Sequence, residues 1–377
     1  MASKFAFESA YINSAEKARD FIRSFYDLEV QQKTPVYTLA EMSGLTEKTS
    51  NISHFFVVCT DSKKYLIKEQ TLNLAEKKRR GGEIIPYLQE HLLTSGCKVS
   101  HPPYLSKDNK HYVNLNGHFV EVIDYTHNVR NSNNLEYRAQ DIMQFAKELA
   151  KIHKATKTFD SELISSYVNE CDRFKNARFN PDENKSFLEE LGDHERIFQQ
   201  KANDKNLSIT ARENYKAILD LGILKILRED YGFAENTKNQ SSLSQIIHRD
   251  PQTGNVLFDI NSGELIALSD WDGCGFFPVA YDLLYAADGF SIDRNHFFNE
   301  PNADFVKLFL NTYLKENALA IPEIKEGFGA LRSDMIDRTA IFLRSAFLDE
   351  DTRSNVAAAH TSLLWRLRKL EKMISDL

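Results

Sequence analysis

The spacing of apolar residues changes character near residue 125. Residues 13 to 29 carry Ala15, Ala18, Phe21, Ile22 and Phe25 at helical intervals and predict an opening helix. From Tyr37 the pattern turns β-prone. "HFFVVCT" and "KYLIKEQ", joined by Asp61-Ser62-Lys63, predict a hairpin. "GGEIIPYLQEHLLTSG" predicts a helix that starts or bends near Pro86 and stops at Ser95-Gly96. "HYVNLNGHFVEVIDY" predicts two strands around an Asn116-Gly117 turn.

Beyond residue 125 the helical period dominates. In "DIMQFAKELAKIHKAT" Ile142, Phe145, Leu149 and Ile152 form an amphipathic stripe. A polar segment from about 157 to 240 keeps helical periodicity, and everything after Asp304 reads as helix, with Trp365 expected in helix core. Between these lie short apolar runs, Val256 to Phe258 and Leu265 to Leu268, with Gly263 in the turn between them. The fold class expected is α+β: a small N-terminal lobe with an antiparallel sheet and one helix, preceded by an extra helix, and a larger, mainly helical C-terminal lobe. The boundary is expected at 1–125 and 126–377, with one cleft.

Composition narrows the classes without choosing among them. At 42% hydrophobic and 27% charged, the chain has the make-up of an ordinary soluble protein. Its net charge of −7 gives no global field for nucleic acid, and Lys77-Lys78-Arg79-Arg80 reads as a solvated helix start. Cysteines at 59, 97, 171 and 274 form no CxxC pair, which argues against a zinc site or a disulfide framework and for a reducing cytoplasm. The N-terminal stretch is too charged for a signal peptide, and no apolar run is long enough to span a bilayer.

The candidate chemistry sits in "HRDPQTGN", His248 to Asn255, held between Ile246-Ile247 and Val256-Leu257-Phe258. If the two apolar runs pair as a hairpin, Asp250, Asn255 and Asp270 fall at the same end of it. Two carboxylates and an amide there would suit Mg²⁺, which takes few protein ligands and completes its shell with water and phosphate. A carboxylate kept off the metal could accept a hydroxyl proton, and together these groups are the equipment of phosphoryl transfer.

His248-Arg249-Asp250 followed by Asn255, with Asp270 beyond, resembles the Brenner-type motif of the aminoglycoside phosphotransferase and choline kinase superfamily, distant relatives of protein kinases. Gln252-x-Gly254-Asn255 is similar to the choline-kinase-like branch. "SDWDGCGFFPVAYDLL" looks like the second motif, and "KELAKIHKAT" like the helix before the catalytic loop. The resemblance runs in order from about residue 40 to 290 and implies a bilobal protein-kinase-like fold. It implies Asp250 as catalytic base, Asn255 and Asp270 as holders of Mg²⁺, and Lys68 with Glu83 positioning the phosphates of ATP or GTP. Ser50 and Asn51, after Thr49, would cover those phosphates, and an adenine-binding hinge would fall around Glu121 to Ile123. Asp272 is left between a metal-side role and an N-cap.

Other residues read as structural. His248 is expected to brace the loop, and Asp282 to anchor it by hydrogen bonds. Arg249 stands where small-molecule kinases commonly carry Gly or Asn and resembles protein kinases instead, but no long activation segment fits between Asn255 and "GCGFFPVAYDLL". Glu76 competes with Glu83 as the lysine's partner. The expected reaction moves the γ-phosphate of ATP or GTP to a hydroxyl of a small molecule, with an aminoglycoside-like acceptor first. Choline or ethanolamine and sugars are alternatives, and a protein kinase or a non-catalytic binding module stand behind them. Residues 157 to 240 and Asp349-Glu350-Asp351 are candidate acceptor-lining regions.

Overall fold

The computed structural model describes residues 11–38, 53–71, 84–126, 128–132, 138–159, 191–237, 244–293, 299–348 and 352–375. The chain divides into two compact units, Met1–Ser95 with Val99–Val129, and Gly96–Lys98 with Arg130–Leu377.

In the smaller unit α1 (Ala15–Phe25) begins at Ser14, whose hydroxyl accepts the Lys17 N–H. Strands β1 (Val36–Thr38), β2 (Ser53–Cys59) and β3 (Lys64–Thr71) follow, then α2 (Ile84–Thr94), β4 (Val113–Leu115) and β5 (His118–Asp124). Pro86 lies in the first turn of α2, where a missing N–H costs nothing. Both residues of the Asn116-Gly117 turn have positive φ, 54° and 92°, as the primed two-residue hairpin requires. The strands form one antiparallel sheet in the order β1-β2-β3-β5-β4. Phe56, Val58, Tyr65, Ile67, Val120 and Val122 turn one face of it onto Ala18, Phe21, Ile22 and Tyr26 of the α1 region.

The larger unit holds α3 (Arg138–Thr156), α4 (Leu191–Asn203), α5 (Ile209–Asp220) and α6 (Ile223–Thr237). The stripe expected in α3 is buried: Ile142, Phe145, Leu149 and Ile152. Beyond β6 (Val129–Asn131), β7 (Ser244–Ile247) pairs with β10 (Gly275–Pro278), and β8 (Val256–Asp259) forms the expected hairpin with β9 (Leu265–Leu268), turning at Gly263 with φ +69°. Helices α7 (Val279–Ser291), α8 (Ala303–Glu316), α9 (Ile321–Leu348) and α10 (Thr352–Ser375) complete the unit. Every residue of α7 is buried, with α3, α8, α9 and α10 against it. Trp365 departs from expectation: it is partly exposed beside a groove of about 800 Å³, with Lys369 Nζ 5.8 Å from its ring centroid. A long aromatic at a helix surface can cover its neighbours without entering the core. Among the described residues no helix is long and apolar enough to cross a membrane.

Candidate active site

The loop after β7 is fixed before any functional side chain is placed. Ile246 and Ile247 are buried, and Ile247 lies opposite Gly275 in β10. Directly after them the carboxylate of Asp282, in the first turn of α7, accepts the His248 N–H at 2.7 Å and the Arg249 N–H at 2.8 Å. Asp282 is itself fully buried and lies 3.3 Å from His153 Nε2 of α3, while His153 Nδ1 sits 2.7 Å from the Tyr313 hydroxyl of α8. A buried carboxylate needs this satisfaction, so the loop inherits its position from three helices. Asp282 thus anchors the loop, as its place in the sequence led us to expect.

Arg249 then takes a φ of +68°, uncommon for a residue with a side chain and costing about 1–3 kcal/mol. That bend directs Asp250 towards the hairpin mouth. His248 Nδ1 accepts the Asp250 N–H at 3.2 Å, and its Nε2 donates to the Ser269 carbonyl at 2.9 Å. The ring spans both sides of the mouth, packed edge-on against Trp271 with centroids 4.7 Å apart. This is the bracing expected of His248. The mouth is closed by Ser269, whose N–H and hydroxyl both donate to the Asn255 carbonyl, at 2.8 and 2.9 Å.

Within this frame Asn255 Nδ2 donates to the Asp250 carbonyl at 2.9 Å and to Asp250 Oδ2 at 3.0 Å. Gln252 Nε2 adds a bond to the same carboxylate oxygen at 3.1 Å. With its amide nitrogen committed, Asn255 leaves Oδ1, the atom a hard cation takes, out of that bond. Asp270 stands at the end of β9 with φ +63° and an exposed side chain. An exposed carboxylate and an oriented amide oxygen fit an ion that keeps water and phosphate in its shell. Among the described residues there is no cluster of three or more His, Cys, Asp or Glu able to hold a metal by itself. Asp272 lies inside the short turn Trp271–Gly273, whose N-cap position belongs to Asp270, so the N-cap alternative for Asp272 does not hold.

Burial raises the Asp250 carboxyl above the ordinary carboxylate range. The Arg338 guanidinium, the His248 ring and the Tyr285 hydroxyl oppose that shift, and the charge of Asp270 adds to it. Tyr285 belongs to α7 and Arg338 to α9. Arg338 Nε lies 2.9 Å from Asp334 Oδ2, and Asp334 also accepts from Arg249 at 2.9 Å and from the Tyr281 hydroxyl. The Arg249 guanidinium is stacked 4.2 Å from the Phe277 ring centroid. It is therefore spent inside the protein, not held out for a phosphorylated segment. Sequence reasoning read Gln252 only as part of the choline-kinase-like pattern, and missed Tyr285, Asp334 and Arg338. Tyr285 left a signal, since "YDLLYAADGF" places polar groups on an otherwise apolar helix; Arg338 left none.

In the smaller unit Lys68 lies directly across the ladder from Glu121, and Leu66 across from Ile123. Alternation puts these four on the sheet face opposite α1. Glu121 and Ile123 stand inside β5, which runs to Asp124, not in a connecting segment. The next residue, Glu69, faces α1 and accepts the N–H groups of Tyr11 and Ile12 at 2.7 and 2.9 Å, with His118 Nδ1 2.7 Å away. Glu83, Ser50 and Asn51 lie outside the described residues, as do Glu76 and Asp349-Glu350-Asp351.

Residues 48–323 match the model of the APH family, described as the phosphotransferase enzyme family. The chain belongs to that family and is a kinase of small molecules. Among solved structures it is similar to the spectinomycin phosphotransferase APH(9)-Ia in complex with ADP and spectinomycin, at 13% identity and a TM-score of 0.62, over 97% of this chain and 99% of that one. It is also similar to the amicoumacin kinase hAmiN in complex with AMP-PNP, Ca²⁺ and Ami, at 14% identity and 0.55, over 96% and 95%. A Plasmodium vivax ethanolamine kinase matches at 14% and 0.50, over 89% and 84%. At such identities these likenesses show the fold, a small antiparallel sheet followed by a helical part. No curated protein matches the chain.

Proposed function

We propose that this chain transfers the γ-phosphoryl group of ATP or GTP to a hydroxyl of a small amine-bearing alcohol, of the aminoglycoside-like or simple amino-alcohol kind. One observation carries the reading: Asn255 is clamped by its amide nitrogen onto Asp250 at a hairpin mouth whose other side ends in the exposed Asp270. Asp250 orients the acceptor hydroxyl and takes its proton. Asn255 and Asp270 hold Mg²⁺, which when bound neutralises charge on the phosphates. Lys68 with Glu83 positions those phosphates, Ser50 and Asn51 cover them, and the Glu121–Ile123 stretch borders the base. The amine in the acceptor is suggested by relatives whose named ligands or substrates are spectinomycin and ethanolamine. A sugar hydroxyl is the second acceptor class. The smaller unit, through residue 125, is read as nucleotide-binding and the rest as catalytic and acceptor-binding. Scattered cysteines suit a cytoplasmic enzyme.

The test is release of ADP or GDP with Mg²⁺ over a panel of aminoglycosides, amino alcohols, sugars and nucleosides, with Asp250→Ala as blank. An acceptor-dependent signal that disappears in the variant supports the reading and names the acceptor class. Equal activity in both proteins removes Asp250 as the base.

A further inference from the structure

Arg249 is gripped at its two ends by different helices. Its backbone N–H donates to Asp282 Oδ1 of α7 at 2.8 Å, and its guanidinium Nη2 donates to Asp334 Oδ1 of α9 at 2.9 Å. Phe277 of β10 packs on the guanidinium, its ring centroid 4.2 Å from Cζ. Between these grips the residue holds a φ of +68°, a conformation that glycine takes freely and a side chain resists. The next residue is Asp250, so this one bend sets the direction in which the carboxylate leaves the chain.

The far end of the grip is itself fixed. Asp334 is buried, and its Oδ2 takes Arg338 Nε of the next helical turn at 2.9 Å together with the Tyr281 hydroxyl of α7. Two turns before Asp334, α9 is pressed against α7. A Cβ on Gly327 would lie 2.7 Å from the Ala280 carbonyl carbon and 2.8 Å from the Tyr281 nitrogen. Gly327 and Asp334 share a face of α9, so the contact that sets the approach of the helices also sets the place of the carboxylate. An ion pair as buried as this one, with side-chain exposures of 11% for Arg249 and 5% for Asp334, adds little to stability over apolar groups of the same size. Arg249 Nε is buried with no hydrogen-bond partner among the described residues. What the pair supplies is direction, a backbone angle that the side chain at this position would otherwise leave.

We propose that Asp334 is a positioning residue of the transfer: through its ion pair with Arg249 it keeps the chain in the left-handed bend that aims Asp250. The inference rests on Asp250 being the base. A loop relaxed from the bend would present the carboxylate to the acceptor hydroxyl in the correct geometry for only part of the time, and that loss falls on kcat, not on nucleotide affinity. Arg249→Gly holds the bend with no ion pair, and Asp334 then ceases to matter to the rate.

The experiment measures kcat and the KM for MgATP in Arg249→Ala, Arg249→Met, Arg249→Gly, Asp334→Asn and the double variant Arg249→Gly with Asp334→Asn. Asp250→Ala is run alongside, and thermal melts report folding. The acceptor is whichever panel compound turns over fastest in the wild type; if none does, water serves, read as ATP hydrolysis. Arg249→Ala and Asp334→Asn are each expected to lower kcat about 10-fold, with the KM for MgATP within about twofold. Arg249→Gly recovers most of the rate and melts above Arg249→Ala. In the Arg249→Gly background, Asp334→Asn lowers kcat by no more than about twofold. Wild-type kcat in Arg249→Ala would overturn the proposal. So would Arg249→Gly no faster than Arg249→Ala, or an equal loss from Asp334→Asn in both backgrounds, which would make α9 act through packing alone. Should Asp334→Asn fail to fold, Arg249→Met reads the ion pair from the loop side, since it keeps the apolar stem and drops the charge; wild-type kcat there sinks the idea equally. If Asp250→Ala alone keeps its activity, the base is misassigned and the bend has nothing to aim, a result separable from all the others.

Discussion

Lys68 and Asp250 are placed by opposite means. Lys68 owes its position to strand register: β3 lies between β2 and β5, the pairings fix which face it takes, and alternation does the rest. Asp250 lies outside regular structure. It is held by His248, Asn255 and Gln252, in a loop that Asp282 and Asp334 fasten to the helices. A sheet positions a side chain through many weak and interchangeable backbone bonds, whereas a loop needs a few side-chain bonds that cannot be exchanged. Function on the loop side should therefore be the more fragile under single substitutions.

The largest expected effect is at the base. Asp250→Asn should lower transfer by about 10³–10⁴-fold with nucleotide binding retained, measured by turnover and by MgAMP-PNP titration. The same change should raise the melting temperature of the ligand-free protein at neutral pH. Burial raises the Asp250 pKa in the folded state, so the folded form binds the proton more tightly and wild-type stability falls as pH rises above the unfolded carboxyl value. The advantage of the Asn variant should accordingly fade as the pH is lowered towards that value. Asp282→Ala comes next. It leaves two backbone N–H groups and His153 without their acceptor and should cost about 3–5 kcal/mol in urea unfolding, with loss of turnover. Gly327→Ala should cost about 1–3 kcal/mol, because backbone and not a flexible side-chain end blocks the new methyl. The smallest effect belongs to the sheet side. Glu69→Gln should cost about 1 kcal/mol, visible as faster proteolysis around Tyr11 and Ile12 with kcat unchanged. A larger loss of turnover at Glu69 than at Asp282 would invert the comparison.

Much of this architecture could be read from periodicity. The Asn116-Gly117 and Gly263 turns, the stripe of α3 and the hairpin that gathers Asp250, Asn255 and Asp270 all rest on local rules, a backbone that needs positive φ or a face that must be buried. His248 and Asp282 were legible as supports through the resemblance of their motifs, and the hydrogen bonds show why a loop between buried strands needs them. What escaped was long-range and chemical. Nothing near Asp334 indicates that it takes Arg249 of the loop and Tyr281 of α7, since that depends on how closely α9 crosses α7, and the crossing turns on one glycine. Trp365 was misplaced because helical spacing alone cannot tell a core aromatic from one that lines a groove. The hinge was located by analogy to a motif, and the ladder carries Glu121 and Ile123 inside a strand because β3 and β5 stay paired beyond that point.

The complete burial of α7 also bears on how such an enzyme can change. A helix without a solvent face leaves drift little to act on, since nearly every substitution meets a packed neighbour or strands a polar group. Asp282 sits on that helix, so inheritance of the fold carries the setting of the Asp250 loop with it. Acceptor preference would then have to diversify on helices that keep an exposed side, and a lineage could exchange one alcohol for another while the apparatus at the base stayed as it was.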